Sequence, residues 1–127
     1  MDELEQFKTQ KPDIDQLRQH YPELSDLLRG KFADKPNVYD LEQGTVVSWE
    51  LCQKKPKNPT YGRIPTGHFE FTAEYTEVVI VLEGVLETEV NDSIHTTGRL
   101  ESITAPSGSL LKIDVREHPV LYICEYR

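Results

Sequence analysis

Long apolar runs are missing from this chain. The longest aliphatic stretch, Val78 to Leu82, falls far short of the ~20 residues that a membrane-spanning helix needs. The start, Met1-Asp2-Glu3-Leu4-Glu5, has neither the basic residues nor the apolar segment of a secretory leader. Cysteine is scarce, with only Cys52 and Cys124. The expectation is therefore a soluble cytoplasmic protein with two reduced thiols, each packed as a small hydrophobe in an apolar strand. Positive charge is also in short supply: 14 Lys and Arg against 22 Asp and Glu leave a formal net charge of −8. Nucleic-acid binding draws most of its affinity from clustered basic residues, so nucleic acid is excluded as a partner. The one basic cluster, Lys54-Lys55-Pro56-Lys57, is short and broken by proline, and reads as a solvated loop.

What is present suits one core. A chain of 127 residues buries roughly two-thirds of its unfolded surface, enough for a single domain and too little for two. Residues 1–36 read as a helical extension. Ile14, Leu17, Tyr21, Leu24, Leu27 and Leu28 recur at helical spacing, and Pro22 suits a first helical turn, so short helices are predicted near 13–20 and 22–30. Their apolar stripe is expected to pack on the domain beside it.

From Val38 the period becomes two. Val47, Trp49 and Leu51 share one face, and Phe69 and Phe71 alternate with His68, Glu70 and Thr72. Val78 to Leu82 is apolar on both faces, as in a central strand. Turn residues at Glu83-Gly84, Asn91-Asp92-Ser93 and Ala105-Pro106-Ser107-Gly108 punctuate the remainder. Short strands at this spacing over residues 37–127 predict an all-β sandwich or small barrel.

Glu77 followed six residues later by Gly84, and then Pro106-Ser107-Gly108, resemble the two sequence signatures of cupins. The resemblance implies a cupin-like small β-barrel (double-stranded β-helix, or jelly roll) with one or two short N-terminal helices. Metal-binding cupins carry a His-x-His pair just before that Glu, where this chain has Glu70 and Thr72, or Phe71 and Ala73. They also carry a His after the second signature's Gly, where this chain has Leu111. The four histidines, His20, His68, His95 and His118, are dispersed. A site needing several converging imidazoles is not expected, and the barrel reads as metal-free.

Gly67-His68-Phe69-Glu70-Phe71-Thr72 leading to Glu77, then Gly84-Val85-Leu86, Pro106 and the ending Tyr122-Ile123-Cys124-Glu125-Tyr126 resemble the small single-domain cupins of the pyrimidine/purine nucleoside phosphorylase family. That resemblance implies a homodimer needing no cofactor, which uses phosphate as co-substrate to cleave nucleosides into free base and ribose 1-phosphate. The segment from Gln53 to Ile64 and the helical extension depart from the family's pattern.

For such chemistry, Arg63 is the candidate for phosphate, its other reading being a surface ion pair. Glu77 is the candidate for ribose hydroxyls and developing positive charge, or else a strand-end carboxylate capping a turn. Glu70, Thr72 and His68 line the cavity if their face points inward, and are the solvated side if Phe69 and Phe71 point inward. Tyr75 stacks on a base or is an exposed loop residue. Tyr122 and Tyr126, sharing a face with Cys124, read as core or dimer residues. A non-catalytic, small-molecule-sensing cupin is the alternative. Arg63 beside Glu77 at the barrel mouth would favour the enzyme, and a Lys-rich loop standing out in solvent would favour the sensor.

Overall fold

The computed structural model describes residues 2–127. Two helices come first: α1 (Glu3–Thr9) and α2 (Ile14–His20). The second is the helix that the apolar spacing predicts, started by the Asp13 side chain accepting the N–H groups of Asp15 and Gln16. The first was not predicted, because its apolar face is only Leu4 and Phe7. Its Asp2 carboxylate caps it, accepting the Glu5 N–H at 2.8 Å.

The helix expected over 22–30 is reduced to one 3₁₀ turn, Pro22–Leu24. Tertiary pairing overrides the local pattern here. Gly30, at φ +90°, turns the chain so closely over the Cys52 carbonyl that no Cβ would fit. Strand β1 (Lys31–Phe32) then pairs with Leu51 and Cys52.

Ten further strands follow: β2 (Asn37–Leu41), β3 (Gly44–Cys52), β4 (Thr60–Ile64), β5 (Gly67–Thr72), β6 (Glu77–Glu83), β7 (Leu86–Val90), β8 (Ser93–Thr97), β9 (Ser102–Ala105), β10 (Leu110–Val115) and β11 (Val120–Tyr126). They form two antiparallel sheets. A seven-stranded sheet runs β1-β3-β4-β11-β6-β9, with β2 also on β3, and a four-stranded sheet runs β5-β10-β7-β8. β1 belongs to the large sheet although it lies ahead of the change of period near residue 37.

Through β3, β4, β11 and β6 the large sheet is buried on both faces, while β2 is exposed. Its inner face packs against the small sheet through Val46, Ile64 and Val81 on one side and Phe69, Leu86 and Ile113 on the other. Its outer face, with Val47, Trp49, Leu51, Tyr61 and Ile123, is covered by Leu4, Phe7, Ile14 and Leu17 of the helices. Trp49 fastens the cover, its indole N–H donating to the Phe7 carbonyl at 2.9 Å. Strand alternation thus divides β3 between two cores.

The outer face of the small sheet carries charge instead, with cross-strand pairs Lys112–Glu89 and His68–Asp114. Cys124 is buried, but Cys52 is exposed. The expectation for Cys52 fails because Leu51 takes the outer core and the strand's last residue turns away to the rim. Among the described residues no helix is long and apolar enough to cross a membrane.

Candidate functional site

A cavity of about 410 Å³ lies between the two sheets, within the range of small-molecule sites. Much of its wall is apolar, with Val46, Ile64, Phe71 and Ile113 among the lining residues. Three of the polar groups come from β11. There Leu121 and Ile123 pack outward into the helix-covered core, so Tyr122, Cys124 and Tyr126 point inward and line the cavity. The Tyr122 ring lies across the backbone of Gly62, its cross-strand partner. A Cβ on residue 62 would overlap that ring.

Glu77, the first residue of β6, stands at the mouth. Burial raises its carboxyl above the usual range, while Cys124 and Lys57 pull the other way. The Cys124 thiol donates to Glu77 Oε1 at 3.4 Å. Burial pushes that thiol strongly up, with the Glu77 charge adding to the effect. It therefore keeps its proton at neutral pH, which leaves it a poor nucleophile.

Lys57 brings its ammonium to 4.9 Å from the Tyr126 ring centroid and 5.5 Å from that of Tyr75, a cation–π arrangement. The Tyr126 hydroxyl pairs with Thr60 at 3.2 Å. Deeper in the wall, between Leu86 and Val90 on the inward side of β7, Thr88 is fully buried. Its hydroxyl has no hydrogen-bond partner among the described residues.

The candidates drawn from the sequence separate. Glu77, Thr72 and Tyr75 line the cavity. His68 and Glu70 do not. Phe69 takes the inner face, with Phe71 packed against the same core, which turns His68 and Glu70 to the outside. There His68 Nδ1 meets Asp114 at 2.9 Å and Nε2 meets Glu70 at 3.1 Å. Hydrogen bonds donated to these carboxylates, Asp114 first, hold the imidazole above its ordinary pKa.

Arg63 is also displaced. Ile64 takes the cavity side of β4, so Arg63 lies under α1 in a separate cleft with Glu3. Arg63 and Glu77 are therefore on opposite faces of one sheet. The cation that the loop brings to the mouth is Lys57. The sequence reads Lys57 as part of a solvated loop and Tyr122, Cys124 and Tyr126 as core or dimer residues, and gives no role to Thr88, yet all of them line the cavity. The alternation Leu86-x-Thr88-x-Val90 was a signal for Thr88, since a hydroxyl between two core residues shares their face.

The donors along the cavity do not fit a cupin metal centre. Among the described residues no imidazole lines it, and the candidate ligands there are Glu74, Glu77 and Cys124. Among the described residues no cluster of three or more His, Cys, Asp or Glu is placed to hold a metal ion.

Two antiparallel sheets enclosing a cavity, with Glu77 and Gly84 bounding the central strand, define a cupin-type barrel. Solved structures share this fold. A protein of unknown function from Acinetobacter sp. ADP1 is 21% identical and aligns over 76% of this chain and 93% of its own, with a TM-score of 0.67. A domain of unknown function from Vibrio parahaemolyticus is 21% identical over 73% of this chain and 99% of its own, at 0.63. A predicted oxalate decarboxylase from Thermotoga maritima is 15% identical over 70% and 88%, at 0.59. The family model for pyrimidine/purine nucleoside phosphorylase matches residues 34–126, and the chain belongs to that family. No curated protein matches it. Both helices lie outside the matched residues.

Proposed function

We propose that the barrel cavity binds a nucleoside and phosphate and releases free base and ribose 1-phosphate, in a cytoplasmic homodimer that uses no metal. The observation that carries this reading is the mouth itself, where a half-buried carboxylate, Glu77, stands close enough to the Lys57 ammonium to feel its charge. Phosphorolysis needs an anion held beside a sugar whose anomeric carbon becomes positive in the transition state. Positioning and electrostatics supply most of the catalysis in such a step. Lys57 attracts phosphate, Glu77 faces the ribose and steadies its positive charge, and Tyr75 and Tyr126 offer faces for the base. Phosphate oxygen then forms a bond to the anomeric carbon as the glycosidic bond breaks and its electrons leave with the base.

The test is release of free base from uridine, inosine, guanosine and adenosine, with and without phosphate. Lys57→Met should raise the Michaelis constant for phosphate more than that for nucleoside. No phosphate-dependent release by folded protein would refute the enzyme reading.

One observation favours a non-catalytic, metabolite-sensing barrel. With Arg63 on the other side of the sheet, Lys57 is the one cation among the described residues lining the cavity, and it stands on an exposed loop. A sensor would bind nucleosides tightly with or without phosphate and release nothing.

A further inference from the structure

A second chamber, about 600 Å³, lies between the helical extension and the outer face of the large sheet. Tyr61 and Arg63, two apart on β4, form part of its floor, and Phe7, Lys11, Leu17 and Tyr21 lie over them. Arg63 is only 9% exposed, yet its guanidinium makes no hydrogen bond to any described residue. Five N–H donors and a charge that cannot be shed are thus left to the solvent in the chamber, where an oxyanion can take its place. Its one ionic neighbour, Glu3, stands 3.9 Å away, beyond hydrogen-bond reach, with a side chain 83% exposed. An ion pair of that kind contributes little.

Two phenols add to the imbalance. Tyr21 and Tyr61 are buried in the same chamber, and neither hydroxyl has a hydrogen-bond partner among the described residues. Burial raises both phenols, so each keeps its proton and is a donor at neutral pH. The chamber thus combines a guanidinium and two hydroxyls with no protein acceptor for any of them.

We propose that this chamber is a second ligand site, separate from the barrel cavity, which holds a small oxyanion, a carboxylate or a phosphate, on Arg63. The guanidinium fork matches two oxygens of either group. Glu83 lies on the same face, across Leu121 from Arg63, and Asp13 lines the chamber as well. Lys11, His20 and His118 line it too, so away from Arg63 the chamber carries charge of both signs. Glu3 is the resident carboxylate, so a bound oxyanion competes with the first turn of α1. Trp49 reports that competition because its indole is hydrogen-bonded to Phe7 of the same helix.

The experiment is an NMR titration of the full chain with acetate and, separately, with inorganic phosphate. Chloride at matched ionic strength is the control, and the Arg63 Nε–H and Trp49 indole signals are followed. Saturable shifts with one oxyanion or both are expected, and the stronger binder identifies the group recognised. Arg63→Met should weaken binding by roughly tenfold or more, as loss of a charge-assisted contact does. Glu3→Gln, which removes a weak competitor, should tighten it by no more than about twofold, and Lys112→Gln on the outer face of the small sheet should leave it unchanged. Shifts no larger than those with chloride for both oxyanions would overturn the proposal, as would undiminished binding by folded Arg63→Met. Should that variant not fold, the Arg63 Nε–H titration of the unaltered chain decides alone.

Discussion

Replacing Thr88 with Val separates what the cavity needs for folding from what it needs for binding. The two side chains have nearly the same shape, and both are β-branched and suited to a strand. Thr88 is fully buried on the inward side of β7, and its hydroxyl has no protein partner among the described residues. Thr88 lines the cavity, so the missing hydrogen bond is one that a ligand or solvent reaching that wall can supply. Without a bound ligand, removing the hydroxyl costs nothing if solvent had satisfied it. If it was unsatisfied, the variant recovers its desolvation penalty, about 1–3 kcal/mol.

The unliganded variant should therefore melt at the wild-type temperature or above it, by roughly 3–5 °C per kcal/mol for a domain of this size. With a nucleoside bound, the sign reverses. Losing one neutral hydrogen bond of about 0.5–1.5 kcal/mol weakens binding by a factor of roughly 2–12. Thermal melts and calorimetric titration with uridine and inosine read both effects. A variant that melts clearly lower and binds as before would show that the hydroxyl serves the fold, and the reasoning would fail.

Glu77→Gln should lower phosphorolytic turnover by about tenfold or more while changing the nucleoside Michaelis constant less, because the lost charge matters most in the transition state. Since burial raises the Glu77 carboxyl in the fold, the wild type should lose stability relative to this variant as pH rises through 4.5 and above, which paired melts will show. His68 is raised by Asp114 and Glu70, so its contribution is fully present below about pH 6.5 and is lost as pH rises through the higher folded value. The melting difference between wild type and His68→Gln should shrink across that window, and a difference independent of pH would refute the pairing. Trp49→Phe removes the bond to the Phe7 carbonyl, worth about 1 kcal/mol. Amide exchange should quicken over residues 3–9 and stay slow in β4 and β11, whereas uniform loss of protection would mean that α1 and the barrel unfold together.

Much of the barrel was legible because it is written in local chemistry. Turn residues at 83–84, 91–93 and 105–108 fall between β6 and β7, β7 and β8, and β9 and β10. The α2 helix was legible from its apolar spacing and its Asp13 cap. Legibility failed where local pattern and tertiary pairing disagreed. The run Leu24 to Leu28 has helical spacing, yet Leu28 is fully buried and the chain just beyond it is captured as an edge strand on β3. Helix α1 failed for the opposite reason: Leu4 and Phe7 show no periodicity of their own, and the helix is held by a tryptophan 42 residues beyond Phe7.

The site was harder because the large sheet has two interiors. Alternation tells which residues share a face, and ordinarily the apolar face marks the inside. Here Tyr61, Leu121 and Ile123 face one chamber while Ile64, Tyr122 and Cys124 face another, and both sets are largely apolar. Nothing in the period says which set sees the ligand. The small sheet has one solvated face, so its ambiguity is resolved by charge: Glu70, Lys112 and Asp114 lie opposite or beside one another across β5 and β10, and Phe69 and Ile113 must point the other way.

Arg63 shows how much rests on that parity. Ile64 lines the barrel cavity, and one residue earlier Arg63 lines the cleft beneath α1. A one-residue slip would exchange them, delivering the guanidinium to Glu77 and an aliphatic side chain to the helices. Two neighbours in β4 hold the register against such a slip. Gly62 leaves room for the Tyr122 ring on the cavity side, while Tyr61 packs against Phe7 and Phe32 on the helix side, with ring centroids 5.2 and 6.0 Å away. The same alternation that closes the inner cavity therefore places a buried cation in the outer one, and the chemistry of each chamber follows from the face that β4 turns toward it.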